Sequence, residues 1–336
     1  MEDFQPQKAL VRAHHAAIEA NLGPSHSSVL EDAVTQDYRW QGFHPFNELK
    51  GATDVARHFW DPLKTALRTL QRREDIFFAG RNQLDEFSSV WVVSMGHLMG
   101  LFDAPWLGLS PTGQLAMLRY CSFDLVVDER IARTAMYVDV PHFAAQTGQP
   151  LFPAQTAAHL VQPGPRTHDG VLSDPQPAEE GAKTLALINA MIADLGQWQS
   201  GLPLEDELAR TWADDMLWWG PEGIGATYTI PRYAEQHVRP FRSGFAERSK
   251  TAHVARLAEG HYGGFFGWPN FTARPTGGFM GLPGSQTQGE FRVIDIYRRE
   301  GEKLAENWIF IDLLHFWKTQ GRDFLVEATL RKGGVR

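Results

Sequence analysis

Two aspartates with matching neighbours are the first candidates for chemistry in this chain. Asp312 and Asp139 are each followed by His-Phe three residues on and by Gly nine residues on, which places His315 and His142 beside them. Carboxylates and imidazoles are the usual groups of general acid–base catalysis. An aspartate at the end of a strand with aromatic neighbours would be desolvated, which strengthens it as a base. The pattern therefore predicts Asp312 and Asp139 as bases, with His315 and His142 assisting at a substrate oxygen.

A structural role for the same residues is the alternative. An aspartate before a helix can accept hydrogen bonds from the first helix amides and so cap the helix. The two histidines would then pack on a buried helix face.

Further polar candidates lie near one of the two aspartates and have no counterpart near the other. His44 and His97 could polarise a substrate carbonyl, or be satisfied by backbone groups. Asp295 and Glu306 are additional carboxylates that could line a pocket, or be surface charges of a hairpin. Because side chains alternate along a strand, Glu306, Trp308 and Asp312 are expected to share one face with Phe310, and that face is expected to line the pocket. The predicted aromatic walls of the pockets, which could equally be core, are Trp40, Trp218, Tyr228, Trp268 and Trp308.

A metal centre is the competing chemistry. It would require convergence of the residues His14, His44, His97, Asp139 and His142. No His-x-His or His-Glu-x-x-His spacing is present, and the single Cys121 excludes a multi-cysteine zinc site. The sequence therefore predicts no metal.

The elements that must position these groups occur twice. Trp40-Gln41-Gly42 matches Trp218-Trp219-Gly220 in the second half of the chain. Gly51-Ala52-Thr53 likewise matches Gly225-Ala226-Thr227. A repeat of this length indicates duplicated domains, and 336 residues suit two of them. We predict domains at 1–148 and 181–336, joined by a proline-rich linker at 149–180. The two copies would form an internal pseudo-dimer, and the chain could also form a homodimer.

Each copy is predicted to place helices first and strands afterwards. Apolar residues recur at helical spacing near the start of each copy, and a second helix is predicted at 29–38 and at 205–216. The remainder of each copy is predicted as an antiparallel meander with a charged hairpin turn before the final strand. This order is typical of the α+β class.

Composition excludes two classes of partner. The formal net charge is −8 and no basic stripe occurs, which argues against nucleic-acid binding. No apolar run reaches the roughly 20 residues that span a bilayer, so no membrane partner is expected. Residues 1–20 contain no apolar core of a signal peptide, and a cytoplasmic location is the expectation.

The stretch from Gly289 to Leu314 resembles the SnoaL-like polyketide cyclases of the nuclear-transport-factor-two-like superfamily. It contains a strand that begins with Gly289-Glu290-Phe291, a charged turn, and Glu306-x-Trp308-x-x-x-Asp312. The first copy is similar at His44-Pro45 and Gly96-His97, but has Arg133 and Ala135 where the second has Glu306 and Trp308. The resemblance implies two tandem cone-shaped α+β barrels. It also implies an acid–base aspartate that acts without metal or organic cofactor.

The expected function is therefore a cyclase, isomerase or lyase acting on a small carbonyl compound, in which a proton is removed next to the carbonyl. An epoxide-hydrolase-like enzyme on the same scaffold is an alternative. It needs an Asp–Arg–Asp cluster, and Arg292 has the wrong strand parity to join Asp295. A non-catalytic binding protein is the third possibility; there both aspartates would be consumed by helix capping and no closed pocket would exist.

Overall fold

The computed structural model describes residues 3–159, 161–196 and 201–333. They divide into two compact units. The N-terminal unit comprises Asp3–Leu151, Arg166–Pro175 and residues 323–333. The C-terminal unit comprises the described residues of Phe152–Pro165 and Gln176–Arg322. None of the described helices has the length and apolar character needed to cross a membrane.

The N-terminal unit packs helices against a six-stranded sheet of order β2-β1-β6-β5-β4-β3. Its helices are α1 (Gln5–Ala20), α2 (Ser27–Ala33), α3 (Gly51–Val55), α4 (Asp61–Ala66), α5 (Val140–Gln146) and a C-terminal helix (Phe324–Gly333), with a π-helix at Ala56–Trp60 between α3 and α4. Its strands are β1 (Val34–Gly42), β2 (Glu48–Lys50), β3 (Leu67–Arg81), β4 (Val90–Phe102), β5 (Leu115–Val127) and β6 (Arg130–Val138).

The C-terminal unit repeats this plan with a sheet of order β10-β11-β12-β13-β7-β8, and a short β9 pairs with β11. Its helices are α6 (Ala178–Gly196), α7 (Leu204–Ala209), α8 (Ile230–Tyr233), α9 (Arg239–Gly244) and α10 (Leu313–Thr319), with a π-helix at Ala234–Val238 between α8 and α9. Its strands are β7 (Trp212–Trp219), β8 (Ala226–Tyr228), β9 (Phe245–Ala246), β10 (Ala255–Glu259), β11 (Tyr262–Pro275), β12 (Gly289–Glu300) and β13 (Lys303–Ile311). The predicted class of two tandem cone-shaped α+β barrels is confirmed.

The predicted second helices are wrong in their second halves. The first ends at Ala33 and the second at Ala209, and in each case a strand follows almost at once. The residues that follow include Tyr38, Trp40 and Trp212, which are types that pack well on a pleated surface. These two strands, β1 and β7, pair in parallel with β6 and β13, so the sheets are not simple antiparallel meanders.

The repeat holds at most landmarks but not at the Gly-Ala-Thr triplet. Strand β2 occupies the place of β8 in the order of elements, so Gly51, which follows β2, corresponds to Thr229, which follows β8. Both adopt a positive φ, 76° and 65°. Gly225-Ala226-Thr227 lies earlier, at β8, and its match to Gly51-Ala52-Thr53 is a coincidence of sequence.

The proline-rich segment is divided between the two units. Within the C-terminal unit, Trp308 Nε1 donates to the Pro163 carbonyl at 2.9 Å. Within the N-terminal unit, Lys8 Nζ donates to the Leu172 carbonyl at 2.9 Å. The domain bounds at 148 and 181 remain predictions, as do the internal pseudo-dimer and the homodimer; the outer bounds at 1 and 336 lie outside the described residues.

Candidate active site

Asp312 and Asp139 each cap the helix that follows them. Oδ1 of Asp312 accepts a hydrogen bond from the amide of His315 at 3.0 Å, and Arg292 Nη1 lies 3.6 Å from Oδ2. Asp139 has the same arrangement, with the amide of His142 at 3.0 Å and Arg119 Nη1 at 3.8 Å. All four of these aspartate and arginine side chains are buried. The shared Asp-His-Phe pattern is thus a strand-to-helix junction braced by a buried arginine.

The two histidines of the pattern have different partners. His315 Nε2 lies 3.1 Å from Glu290 Oε2, and burial together with the charge of Arg292 lowers the pKa of His315. His142 Nδ1 lies 3.3 Å from Gln146 Nε2. The structure does not give them a common environment.

His44 and His97 each face a carboxylate in the N-terminal unit. His97 Nδ1 lies 3.2 Å from Asp75 Oδ2, and His44 Nε2 lies 3.9 Å from Asp323 Oδ2. Among the residues described, no group of three or more His, Cys, Asp or Glu side chains lies close enough together to hold a metal ion. The five-residue convergence of the metal alternative therefore does not form.

A cavity of about 120 Å³ lies within the C-terminal unit. The face of β13 that lines it carries Asn307, Ile309 and Ile311. Glu306 and Trp308 share the opposite face, so the prediction that their face lines the pocket is wrong. Almost every residue of β13 is buried, and on its outer face Trp308 Nε1 donates to the Pro163 carbonyl. Alternation of apolar and polar residues therefore could not reveal which face is internal.

Asp295 is the carboxylate in the wall of this cavity. Tyr297 OH donates to Oδ2 at 2.6 Å, and Asn307 Nδ2 donates to Oδ1. An ionised carboxylate only accepts hydrogen bonds, so both donors match the charged form. Asn307 Nδ2 also donates to the Ile296 carbonyl at 2.9 Å, which fixes its orientation. Asp295, predicted as substrate-binding, is thus a carboxyl group whose two oxygens are both held by hydrogen bonds at the cavity wall.

Four other titratable side chains in or beside the wall of this cavity are neutral at pH 7. Burial and the charge of Asp295 raise the pKa of both Tyr297 and Tyr233, which keeps their hydroxyls protonated. Burial lowers the pKa of His237 to about 3. The pKa of His253 is also lowered to about 3, by burial and by the charge of Arg256. These four side chains offer neutral donors and acceptors to a ligand beside the carboxyl group of Asp295.

His237 is positioned by the π-helix. Its ring stacks on Trp218 with centroids 4.1 Å apart, and its buried Nδ1 has no hydrogen-bond partner in the described structure. The same position in the first π-helix is Phe59, which packs on Trp40 at 4.9 Å. π-helices are frequent at functional sites. The C-terminal unit therefore carries an imidazole where its duplicate carries a phenyl ring.

The N-terminal unit has a related carboxylate, Asp124, that sequence reasoning missed. It lies on the strand equivalent to β12, and it accepts hydrogen bonds from Thr134 Oγ1 at 2.6 Å and Ser122 Oγ at 3.0 Å. Register equates Asp124 with Tyr297, because Asp124 pairs with Thr134 as Tyr297 pairs with Asn307. Burial raises the pKa of Asp124 to about 6.

The first helices of the two units turn different side chains inward. Helix α1 buries His14 and His15, whereas α6 lines its cavity with Met191 and Ile192. Burial, followed by neighbouring positive charge, lowers the pKa of His14 to about 3 and that of His15 to about 4.

Residues 268–318 match the family model described as SnoaL-like polyketide cyclase. The resemblance to SnoaL-like cyclases is confirmed over this segment. It contains Asp295, Tyr297, Asn307 and the capping Asp312.

Three solved structures with the SnoaL-like or related names are similar to parts of the chain. A protein of Jannaschia sp. CCS1 described as a SnoaL-like polyketide cyclase is 19% identical, with 43% of this chain and 91% of that chain covered and a TM-score of 0.34. An NTF2-like protein of Burkholderia xenovorans LB400 is 15% identical, with 41% and 96% covered and a TM-score of 0.32. An LEH-like epoxide hydrolase of M. tuberculosis is 13% identical, with 45% and 98% covered and a TM-score of 0.31. No curated protein matches the chain.

The residues predicted to bind substrate lie in different surroundings in the structure. Trp218 lines the cavity of the C-terminal unit. Tyr228 is 44% exposed and packs on Trp219, and Trp268 lies under the guanidinium of Arg292 at 3.9 Å. Glu306 forms a buried ion pair with Arg298. Of the residues predicted to bind substrate, Trp218 and Asp295 are the two brought together at this cavity.

Proposed function

We propose that the C-terminal unit is a SnoaL-like cyclase or isomerase in which Asp295 removes a proton from a carbon next to a carbonyl group. The observation that carries the proposal is the held carboxylate in the wall of a largely apolar cavity. In such surroundings a carboxylate is less hydrated than in water and is a stronger base toward carbon acids.

The reaction balances without an added reactant. The C–H bond breaks, its proton goes to Asp295, and its electron pair forms the enolate. The enolate carbon then attacks a second carbonyl of the same molecule, and the new alkoxide takes the proton back from Asp295. If the proton returns to a different carbon instead, the outcome is isomerisation.

A neutral hydrogen-bond donor is needed where the enolate oxygen gains charge. His237 is suited to this role because the low pKa of its ring keeps the imidazole neutral, with one N–H to donate. Tyr233 is a second protonated donor in the same wall. We propose His237 as the principal donor, since its duplicate position is the apolar Phe59.

The walls favour a substrate with a flat apolar body. Phe265, Phe271, Phe291 and Trp218 line the cavity together with aliphatic side chains of α6 and β13. Apolar pockets with a few placed polar groups are typical of small-molecule sites.

Deuterium exchange tests the proposal without knowledge of the natural substrate. The full chain is incubated with 2-tetralone in D₂O at pH 7, and loss of the α-proton signal is followed by NMR. We expect the chain to accelerate exchange over buffer, and Asp295→Asn to reduce that acceleration at least 100-fold. Asp312→Asn is the matched control and should keep it. The proposal is wrong if the wild-type chain gives no acceleration, or if Asp295→Asn exchanges at the wild-type rate.

A second pair of variants tests the donor. His237→Phe copies the natural pairing of Phe59 with Trp40 and so removes the imidazole with little change in packing. Removal of one oxyanion donor commonly costs about 100- to 1,000-fold in rate. Phe59→His in the N-terminal unit is the reciprocal control and should leave the exchange unchanged.

The hydrolase alternative is not supported by the arrangement around Asp295. Its two donors come from a tyrosine and an asparagine, while Arg292 contacts Asp312 and Trp268. The binding-protein alternative expected capping aspartates together with no pocket. Capping is observed, but so is the cavity.

A further inference from the structure

We propose that the ligand of the C-terminal cavity carries a carboxylate group, and that Arg248 binds it. The inference deepens the proposed function by naming the substrate class, a carbonyl compound with a carboxylate on an apolar body. It concerns a different end of the cavity from Asp295 and can fail separately.

Arg248 is built into the cavity wall. Its guanidinium carbon lies 4.6 Å from the centre of the Phe271 ring, and its Nη2 donates to Thr251 Oγ1 at 3.0 Å. Phe271 in turn stacks on Phe291 with centroids 4.7 Å apart. Arg248, Thr251 and both rings line the cavity. A guanidinium held by a ring face and a hydroxyl is pre-oriented, and its planar fork matches a carboxylate.

Two arginines line this end of the cavity and differ in their surroundings. Arg242 also lines the cavity, but both of its terminal nitrogens bond to the buried carboxylate of Glu207. Burial and the neighbouring charge of Arg242 lower the pKa of Arg248. An anion placed beside Arg248 would oppose both effects. Because most of the cavity wall is apolar, the field of a cation there is weakly screened.

Strand register separates the cationic end from the base. Phe271 pairs with Phe291, and Asp295 lies four residues further along β12. At about 3.3 Å per residue, the two levels are roughly 13 Å apart along the strand. A bound carboxylate at Arg248 is thereby kept away from the negative charge of Asp295, and an elongated molecule could present its reacting carbon to the base.

Calorimetry with two matched probes tests the inference. The full chain is titrated with 3-phenylpropanoate and with 3-phenylpropanamide, its neutral isostere. A hydrogen bond to a charged group contributes about 1.5–3 kcal/mol, which corresponds to roughly ten-fold or more in affinity. We expect the carboxylate to bind at least ten-fold more tightly than the amide, and the preference to weaken as salt is raised.

Variants identify the residue and guard against misfolding. Arg248→Met should abolish the preference and leave the amide affinity unchanged, whereas Arg248→Lys should keep part of it. Arg239→Met is the control, because Arg239 is an exposed residue paired with Glu205 and Glu235. Equal binding of the two probes by the wild-type chain, or a preference that survives in a folded Arg248→Met protein, would overturn the inference. Asp295→Asn should keep the preference while losing proton exchange, so this inference and the proposed function can fail independently.

Discussion

Substitution of Asp312 separates a helix cap from a catalytic base. In Asp312→Asn the side-chain oxygen can still accept from the His315 amide, but the charge beside Arg292 is lost. In Asp312→Ala both are lost. Asparagine caps helices about as well as aspartate, whereas alanine at a cap costs about 1 kcal/mol.

The expected loss in the free energy of unfolding follows from the helix cap and from the contact with Arg292. Leaving the buried Arg292 guanidinium without this carboxylate costs about 1–3 kcal/mol. We therefore expect a loss of about 1–3 kcal/mol in the free energy of unfolding for Asp312→Asn and about 2–4 kcal/mol for Asp312→Ala. For a domain of this size, each kcal/mol lowers the melting temperature by about 2–4 °C.

Thermal unfolding followed by circular dichroism measures the series. Asp139→Asn and Asp139→Ala are matched controls in the duplicate junction, where the cap distance is the same and Arg119 replaces Arg292. The same order of stability is expected there. The capping assignment is refuted if asparagine destabilises as much as alanine at both positions, or if a folded Asp312→Asn protein loses the deuterium exchange of 2-tetralone.

Three further outcomes are expected. Glu306→Ala should lose about 1–3 kcal/mol in urea unfolding, because it removes the buried carboxylate from the guanidinium of Arg298 and leaves it only the exposed partner Glu300; a loss below about 1 kcal/mol would contradict the buried pair. The pKa of Asp124 is raised from 3.8 to about 6 on folding, so the folded state holds a proton that the unfolded chain has released, and stability should fall as pH rises from 4 to 6. Asp124→Asn should remove that component, and an unchanged slope would count against it. The pKa values of His14 and His15 are lowered from 6.5 to about 3 and about 4, so their contribution to stability is present above pH 6.5 and is lost as pH falls toward 4. A His14→Met, His15→Ile variant, which introduces the two side-chain types that α6 turns to its cavity, should unfold at lower pH than the wild-type chain in acid titrations followed by fluorescence.

The elements near the capping aspartates could be predicted because they depend on local signals. A strand that ends in aspartate and continues into a short apolar helix is readable from residue types, and it occurs in both copies. The α+β order and the duplication follow from the same signals. The choice between cap and base could not be made, since both place an aspartate at a strand end.

The alternation of polar and apolar residues along β13 could not show which face of the strand lines the cavity. Strand β13 is buried on both faces, so Glu306 and Asn307 carry no pattern that distinguishes outside from inside. The transition from helix to strand after Ala33 was also hidden, because the residues on either side suit either conformation until the sheet pairs them. Tertiary pairing decides both questions, and a single sequence does not contain it in readable form.

Three polar positions of the C-terminal sheet have equivalents on the paired strands of the N-terminal sheet. The polar side chains of the C-terminal cavity could therefore be transferred to the N-terminal unit. Asp295, Tyr297 and Asn307 correspond by register to Ser122, Asp124 and Thr134. Three substitutions would thus copy the polar constellation of one barrel into the other while the backbone pairing stays the same. The chain carries, in one polypeptide, both this polar constellation and a closely related scaffold on which to rebuild it.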